Sequence, residues 1–291
     1  MKHELPHLIN IPPFLLRAKN TNNLFSTLLV LIQGKLSTFI IKNFKGKLFC
    51  NLLKIIFPTY EKILFKNNKY YKNLNNQEIC FPNKRILRIY LDPLKHFDRL
   101  FNSYCLDKVS INTNDVIIDC GANVGELNIA LKLKNLNVNY YAFEPDYSNF
   151  ICLLENNKEN ADNIFDSGLS NKNGTSKFYL DNDGGNSSFY SFGTKEYTNV
   201  STLMLDDVTL PKNIKLLKVE AEGFEPEVIE GAVETLKRTE YICVDFGSER
   251  GVEQENTVIE VNNILLKNNF ALIEFSDYRY IGLYKNTKLD E

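Results

Sequence analysis

Four glutamates lie within eight positions in the stretch KVEAEGFEPE, directly behind the apolar run Ile214-Lys215-Leu216-Leu217. They are Glu220, Glu222, Glu225 and Glu227. Crowded carboxylates at the end of a buried strand repel one another and lose hydration, and both effects raise a carboxyl pKa. Because such crowding costs stability, the pattern favours a chemical role over a structural one. The question is which elements bring these carboxylates to a ligand.

The chain changes character at residue 111, after which apolar runs of strand length alternate with helical patterns. Predicted strands cover 115–120, 138–144, 163–167, 214–220, 241–246, 270–275 and 280–285, and predicted helices cover 124–134, 147–158, 225–237 and 256–268. Uniformly apolar strands separated by helices predict a parallel sheet covered on both faces. The last two strands are joined too tightly for a parallel crossover, so they form a hairpin. The prediction for 111–291 is an α/β domain with a mostly parallel seven-stranded sheet and a C-terminal antiparallel strand.

A glycine-containing turn follows the first of these strands in VIIDCGANVGELNIAL. Its pattern, D-x-G-x-N-x-G, differs from the G-x-G-x-x-G of dinucleotide-binding folds. Asp119 would repel a pyrophosphate, but a carboxylate there suits the cationic methionyl part of S-adenosylmethionine. We therefore predict cofactor contacts by Asp119, Gly121, Asn123 and Gly125, with the glycines allowing positive φ and close approach of the ligand.

Acidic residues also end the next two predicted strands. Glu144 ends the second strand, where a carboxylate can accept hydrogen bonds from both hydroxyls of a ribose. Asp166 and Ser167 end the third strand, where we expect contacts with an adenine ring. Strand, glycine turn, helix, strand and acid together predict an adenosyl cofactor.

Over about 110–285 the chain resembles an FkbM-type methyltransferase, and the ordered series of segments is more specific than any one of them. The matching segments are VIIDCGANVGE, AFEPDYSNFICLLENN, SGLSNKNGTSKFYL, VSTLMLDD, LLKVEAEGFEPEVIEGA and YICVDFGSERG. The family pattern resembles K-[IV]-D-x-E-G-x-E, and here Glu220 replaces the usual Asp. The resemblance implies a class I methyltransferase, Rossmann-like in its sheet, that transfers a methyl group from S-adenosylmethionine to oxygen, often on sugars of glycans or natural products.

Such a transfer needs a base for the acceptor hydroxyl. The three histidines, at positions 3, 7 and 96, lie outside the predicted sheet. We therefore expect a carboxylate base, first Glu222 and then Glu220, with Lys218 pairing with the cluster. The alternative is a divalent metal bound by Asp206 or Asp207 together with Glu220 and Glu222; our primary expectation is a site without metal.

Acceptor binding is assigned to the remaining polar positions near the same edge. The insertion at 181–199 has the length of a binding loop, and Asn186, Ser187 and Ser188 are its candidate contacts. Glu225 is expected to orient substrate or cap the following helix. After the fifth strand, Arg250 is expected to bind an anionic group and Asp245 a hydroxyl. The expected acceptor is a glycan or a small molecule; another small metabolite, a lipid-linked intermediate and a non-catalytic cofactor-binding subunit are the alternatives.

Residues 1–110 form a separate, basic segment in this interpretation. They hold 18 Lys and Arg against 6 Asp and Glu, whereas residues 111–291 hold 16 against 30. We predict amphipathic helices at 24–41 and 44–56, with the first packed mainly in a core and a membrane surface as its alternative setting. A short helix and polar linker at 58–77, a strand or hairpin at 78–91 and a helix from near Asp92 follow. The basic charge either docks on the acidic domain or holds an anionic partner, such as a membrane surface or a phosphorylated carrier.

The six cysteines show no paired spacing, and two of them fall within apolar strands. Reduced thiols of a cytoplasmic protein, with peripheral membrane contact as an alternative, are the expectation. No nucleic-acid partner is expected, because the basic and aromatic residues follow a core-like pattern rather than a stacking platform.

Overall fold

A computed structural model describes residues 23–75, 77–181, 187–276 and 279–289. The chain divides into two compact units, Met1–Pro93 and Leu94–Glu291. This division precedes the domain boundary that the charge distribution predicts at 110/111. The difference arises because the helix predicted from Asp92 and the segment that follows it belong to the second unit.

Two helices open the described part of the first unit, α1 (Leu24–Asn43) and α2 (Gly46–Ile56). Asn23 caps α1, since its side-chain oxygen accepts a hydrogen bond from the Ser26 amide at 2.7 Å. Both helices lie close to the predicted ranges, but the expected core packing of α1 is wrong: within it only Gly34 and Ile40 are buried. Among the described residues, α1 is the one helix long and apolar enough to cross a membrane, judged by length and composition only.

A three-stranded antiparallel sheet follows. Its first two strands lie where the sequence predicted a short helix and a linker, and its third lies mostly in the stretch predicted as a strand or hairpin. Its strands are β1 (Leu64–Lys66), β2 (Lys69–Leu74) and β3 (Gln77–Phe81). Asn67 and Asn68 connect β1 to β2, and both have positive φ, 50° and 58°. Two-residue hairpin turns of this kind need positive φ at both positions, and asparagine tolerates it. This Asn-Asn signal was present in the sequence and was overlooked. A 3₁₀ helix at Lys84–Ile89 follows β3.

The second unit contains the predicted seven-stranded sheet, in the order β12-β13-β11-β10-β4-β5-β6. Its strands are β4 (Val116–Cys120), β5 (Asn139–Phe143), β6 (Ile164–Phe165), β10 (Ile214–Val219), β11 (Thr239–Asp245), β12 (Phe270–Ser276) and β13 (Ile281–Asn286). Its α-helices are α3 (Pro93–Ser103), α4 (Glu126–Leu133), α5 (Tyr147–Asn156), α6 (Glu225–Glu230), α7 (Val233–Leu236) and α8 (Val258–Lys267). Strands β11, β10, β4, β5 and β6 are parallel, while β13 runs antiparallel to β11 and to β12. The predicted fold class is confirmed.

Burial explains why these strands read as continuous apolar runs. All five residues of β4 are buried, as are five of the six in β10 and six of the seven in β11. Sheets covered on both faces select residues in this way. All six cysteines are free and buried.

The insertion before β10 and the helix after it both differ from the predictions. A second sheet, ordered β7-β9-β8, forms from β7 (Gly168–Leu169), β8 (Gly174–Tyr179) and β9 (Tyr197–Leu203). The predicted helix 225–237 is divided into α6 and α7 near Gly231, where a β-carbon would lie 1.9 Å from the Ser170 carbonyl oxygen. Close contact with the second sheet's connection therefore requires glycine at this point.

Candidate active site

The sheet order reverses direction between β4 and β10. From β4 the chain proceeds to β5 and β6 on one side, and from β10 it proceeds to β11 on the other. The two strands pair in parallel, with Lys218 opposite Asp119 and Val219 opposite Cys120. Parallel α/β sheets bind ligands outside the carboxyl ends of strands at such a reversal. The loops after β4 and β10 therefore define the candidate site.

The loop after β4 is held by backbone hydrogen bonds and two glycines. The amides of Gly121 and Ala122 both donate to the Phe143 carbonyl, at 3.0 and 3.1 Å. Gly121 has φ of 72°, and a β-carbon there would lie 1.9 Å from the Glu220 carbonyl oxygen. Gly125 has φ of 82°, and a β-carbon would lie 2.1 Å from Asn157 Nδ2. Both glycines are thus required by neighbouring protein atoms, whatever ligand binds.

Glu144 connects this loop to the end of β5. Its Oε2 accepts from the Asn123 amide at 2.7 Å, and its Oε1 accepts from the Asp146 amide at 2.9 Å. The side chain is only 5% exposed, and burial raises its pKa to about 7. A carboxylate oxygen can accept more than one hydrogen bond, so both oxygens of Glu144 retain acceptor capacity.

The two residues that follow β6 differ in their surroundings. Ser167 is buried, and its hydroxyl has no hydrogen-bond partner among the described residues. Asp166 is exposed. Its pKa is nevertheless raised, by partial desolvation and by the charge of Asp146. A buried hydroxyl without a partner is costly, and in a native protein it calls for an explanation such as a bound ligand.

A buried ionic network joins the two strands at the site. Lys218 Nζ lies 2.9 Å from Asp119 Oδ1 and donates to the Gly121 carbonyl at 2.9 Å. The other Asp119 oxygen accepts from the Tyr140 hydroxyl at 2.5 Å. Burial alone would lower the pKa of Lys218, but the neighbouring carboxylates, Asp119 first, hold it well above its usual value. Lys218 and Tyr140 thus contact the two oxygens of Asp119, although Oδ1 has no hydrogen bond among the described residues.

Glu220 belongs to the same network and is held ionised. Its carboxylate accepts from Arg279 at 2.5 Å and from the Tyr104 hydroxyl, and lies 3.2 Å from Lys218. Burial would raise its pKa, but Arg279 and then Lys218 keep the pKa well below its usual range. A carboxylate so stabilised is a poor proton acceptor, which argues against the base role predicted second for Glu220. The extra methylene relative to Asp lets it reach both cations.

Glu222 has a different environment, although it is only two residues away. Its backbone is left-handed, with φ of 50°, and its carbonyl accepts from the buried Ser188 hydroxyl at 2.7 Å. Its carboxyl lies beside that of Glu249, close enough for the two to share a proton. Its Oε2 is buried and has no partner among the described residues. Burial and then the charge of Glu249 raise the pKa of Glu222 well above its usual value.

The sequence profile of the Methyltransferase FkbM domain matches residues 119–272, just over half of the chain. The chain belongs to the FkbM methyltransferase family. It is therefore a methyltransferase with S-adenosylmethionine as its methyl donor, as the resemblance implied. The matched range contains both loops of the candidate site.

Solved structures with a similar arrangement share little sequence with this FkbM methyltransferase. A precorrin-6y C5,15-methyltransferase from Geobacter metallireducens GS-15 is 16% identical, with TM-score 0.34, covering 62% of this chain and 85% of that one. A SAM-dependent methyltransferase from Aquifex aeolicus is 15% identical, with TM-score 0.40, covering 70% and 94%. A putative transferase from Pyrococcus horikoshii is 11% identical, with TM-score 0.41, covering 86% and 83%. At TM-scores below 0.5 these say nothing about substrate or site. No curated protein matches the chain.

The site of the FkbM domain fits an adenosyl donor. Glu144 retains acceptor capacity for ribose hydroxyls, and Asn123 Oδ1 and the Ser167 hydroxyl are buried without partners among the described residues. These are the polar atoms that a nucleoside could satisfy. Asp119 Oδ1 also has no hydrogen bond among the described residues, but Asp119 differs from the others because it is paired with Lys218 and bonded to Tyr140. Its contact with the donor stays a prediction.

Protein partners occupy the side chains of two predicted acceptor contacts. Glu225 is 1% exposed; its oxygens accept from the Ala221 and Gly223 amides and from Thr257. Glu225 therefore shapes the loop after β10, and an acceptor contact by its carboxylate stays a prediction. Arg250 makes two hydrogen bonds to Glu227, at 2.8 and 3.0 Å, so an anionic acceptor would have to displace that carboxylate.

The other predicted acceptor residues lie in varied settings. Ser188 is buried and supports the Glu222 backbone, and the Ser187 hydroxyl accepts from the Asp181 amide at 2.9 Å. Asn186 lies outside the described residues. Asp245 accepts from the Gly247 amide at 3.1 Å and from Arg279, and burial raises its pKa to about 6.

The metal alternative is not supported by the described residues, which contain no group of three or more His, Cys, Asp or Glu placed to hold an ion. Asp206 accepts from the Glu234 and Thr235 amides at the start of α7, at 2.9 and 2.7 Å. Asp207 accepts from the Asn173 side chain. Neither residue joins Glu220 and Glu222.

Three residues at the site were missed from the sequence. Tyr104 precedes the sheet, Arg279 lies between β12 and β13, and Glu249 follows β11. Tyr104 and Arg279 carried no local signal, because their roles depend on contacts with residues far along the chain. Glu249 stands in DFGSERG, between the predicted acceptor contacts Asp245 and Arg250, and only its contact with Glu222 in the folded chain distinguishes it.

Proposed function

We propose that this FkbM methyltransferase methylates a hydroxyl oxygen of a sugar, glycan or glycolipid, with the carboxyl pair Glu222 and Glu249 as general base. The observation that carries the proposal is the buried Glu222 Oε2, which lacks a partner among the described residues. The other three glutamates of KVEAEGFEPE are engaged with cations or backbone amides. Glu222 alone among the four has an oxygen without a hydrogen-bond partner among the described residues.

The donor binds, in this proposal, across the loop after β4. Glu144 accepts hydrogen bonds from the ribose hydroxyls, Ser167 contacts the adenine, and Asn123 offers its side-chain oxygen. When bound, S-adenosylmethionine supplies an electrophilic methyl group. The glycines and the Lys218 bond to the Gly121 carbonyl keep this loop in one conformation, so little ordering is needed on binding.

The base acts as a pair rather than as a single residue. Two adjacent carboxyls that share a hydrogen bond hold one proton and one negative charge over a broad pH range, and they titrate together. The acceptor hydroxyl donates to Glu222 Oε2. As its oxygen gains the methyl group, its proton passes to the pair, which becomes neutral and later returns that proton to water. A raised pKa makes the pair a stronger base than an ordinary glutamate.

The left-handed backbone of Glu222 supports this assignment. A non-glycine residue with φ of 50° is unfavourable and persists only where the surroundings impose it. Here the Ser188 hydroxyl holds the Glu222 carbonyl, and Glu225 holds the amides on either side. The conformation fixes the direction in which the carboxyl leaves the loop.

A neutral acceptor is favoured by the charges at this edge. Arg250 is bound to Glu227, and Arg279 is bound to Glu220 and Asp245. In the described loops around Glu222 these arginines are therefore committed to carboxylates. A hydroxyl-rich, uncharged acceptor such as a sugar fits better than a phosphate or carboxylate, in agreement with the resemblance to enzymes that act on sugars.

The test uses methyl-labelled S-adenosylmethionine and separate carbohydrate, lipid, small-metabolite and nucleic-acid fractions from the host. We expect label in the carbohydrate or glycolipid fraction, released on acid hydrolysis as a methylated monosaccharide. Glu222→Gln should abolish the labelling, whereas Glu230→Gln, at an exposed position of α6, should not. Label in nucleic acid or in sugar-free metabolites would contradict the proposed acceptor.

A further inference from the structure

One side of α1 presents large apolar side chains to solvent. They are Leu24, Phe25, Leu28, Leu29, Ile32, Leu36 and Phe39, between 45% and 89% exposed. At 100° per residue they fall within a sector of about 140°, so they form one continuous surface, here called the α1 stripe. Large contiguous apolar patches of this kind mark sites of interaction with a partner or a membrane.

The other side of α1 packs within the first unit. Gln33 donates to the Ile56 carbonyl of α2 at 3.4 Å, and Lys84 donates to the Ile41 carbonyl. Gly34 and Ile40 are buried. A helix covered on one side by its own unit is not surrounded by lipid on all sides. In addition, Lys35 lies well inside the helix, where a charge disfavours a spanning position. The helix therefore suits the surface of a membrane better than its interior.

The charges around the stripe have one sign. From Leu24 to Ile56 the chain contains five lysines and no acidic residue. Lys35, Lys42, Lys45 and Lys47 are exposed, and the first two, seven residues apart, follow one edge of the stripe. Long lysine side chains reach from an apolar boundary to charged headgroups. A surface of apolar residues bordered by lysines is complementary to an anionic bilayer.

We propose that the α1 stripe docks on an anionic lipid membrane, with its apolar side chains at the acyl boundary and the neighbouring lysines among the phosphates. This interaction is independent of the acceptor proposed above, since it rests on the first unit alone. Attraction between lysines and anionic headgroups brings the surface to the bilayer, and apolar burial then holds it there.

The test is flotation of the full-length protein with lipid vesicles. We expect binding to vesicles of mixed phosphatidylcholine and phosphatidylglycerol that is at least tenfold tighter than binding to phosphatidylcholine alone. Raised salt should weaken this binding, because it screens the lysines.

Matched variants distinguish binding through the α1 stripe from nonspecific binding of exposed apolar residues to vesicles. Leu28→Gln with Phe39→Gln should weaken vesicle binding at least tenfold, whereas Ile259→Gln with Leu266→Gln, exposed apolar positions on α8, should leave it unchanged. Replacing Lys42, Lys45 and Lys47 by Gln should remove the preference for anionic lipid. Far-UV circular dichroism and affinity for S-adenosylmethionine establish that each variant is folded.

Three outcomes would overturn the proposal. One is equal binding of the wild type to neutral and anionic vesicles. Another is vesicle binding that the stripe variant retains in full. The third is a wild type that binds no vesicles and is a dimer by light scattering, while the stripe variant is a monomer. That result would assign the stripe to contact with a second copy of the chain.

Discussion

The loops after β4 and β10 lie at one edge of one sheet, yet they differ in how far protein partners engage their polar side chains. Asn123 in the loop after β4, and Glu144, which contacts that loop from the end of β5, keep acceptor capacity that neighbouring backbone does not use. After β10, three of four glutamates are fully engaged with protein partners, and only Glu222 keeps a buried oxygen free among the described residues. One loop is thus organised to receive a polar ligand, and the other to isolate a single carboxyl.

Each of the crowded glutamates has different partners in the folded chain. Glu220 meets Arg279 and Lys218, Glu225 meets backbone amides, and Glu227 meets Arg250. Two residues apart, Glu220 and Glu222 consequently have pKa values displaced in opposite directions. A pair of carboxyls with divergent pKa values is a usual mark of divided roles in catalysis.

The largest expected effect is the loss of turnover on substitution of Glu222. Glu222→Gln removes the proton acceptor while keeping size and shape, so turnover should fall by about 10²–10⁴-fold, the usual contribution of a general base. Affinity for S-adenosylmethionine, measured by calorimetry, should change by less than about threefold, since that loop is separate. Turnover equal to wild type would remove the distinction between the two loops.

The rigidity of the loop after β4 can be tested with glycines. Gly121→Ala combines unfavourable positive φ with overlap against the Glu220 carbonyl, whereas Gly251→Ala has a similar φ, 71°, and open space around it. Positive φ alone costs about 1–2 kcal/mol, and the overlap should add about 1–3 kcal/mol. Denaturant midpoints of the two variants measure the difference. Equal destabilisation would show that the contact between the loops is dispensable.

Donor affinity should depend mainly on Glu144. Glu144→Ala removes the proposed acceptor for the ribose hydroxyls, and the dissociation constant for S-adenosylmethionine should rise about 10–100-fold, as for the loss of one hydrogen bond to a charged group. Rates at saturating donor should fall less than those of Glu222→Gln. A larger effect on turnover than on affinity would contradict the division of roles between the loops.

The smallest effect concerns stability and pH. Burial raises the pKa of Glu225 to about 7 in the folded protein, from 4.5. The folded state therefore binds more protons than the unfolded state between these values, and the free energy of unfolding falls as pH rises through this window. From pH 6 to 8 Glu225 should account for about 1 kcal/mol of that loss.

Urea unfolding at both pH values measures this loss, with Glu225→Gln as the variant and Glu230→Gln as the control. Only Glu225→Gln should weaken the dependence of the free energy of unfolding on pH. An unchanged profile would show that Glu225 stays ionised in the folded protein, like the other engaged carboxylates.

The predictions from sequence succeeded where a residue's environment is set by its neighbours in the chain. Apolar runs identified the seven strands because parallel strands are buried on both faces, and the glycine turn was identified because positive φ is a local requirement. The β1–β2 hairpin differs from the predicted helix and linker, although Asn67-Asn68 signals a two-residue turn among the surrounding lysines and tyrosines.

The amino-acid sequence by itself determined the α/β sheet, the loop after β4, Glu144 at the end of β5 and the membership of the FkbM family. Only the tertiary structure decided which glutamate has a lowered carboxyl pKa and which a raised one. Arg279 and Tyr104 reach Glu220 from distant parts of the chain, and Glu249 reaches Glu222 from the end of β11. A carboxyl pKa depends on burial and on charges within a few ångströms, and these distances exist only after the chain has folded.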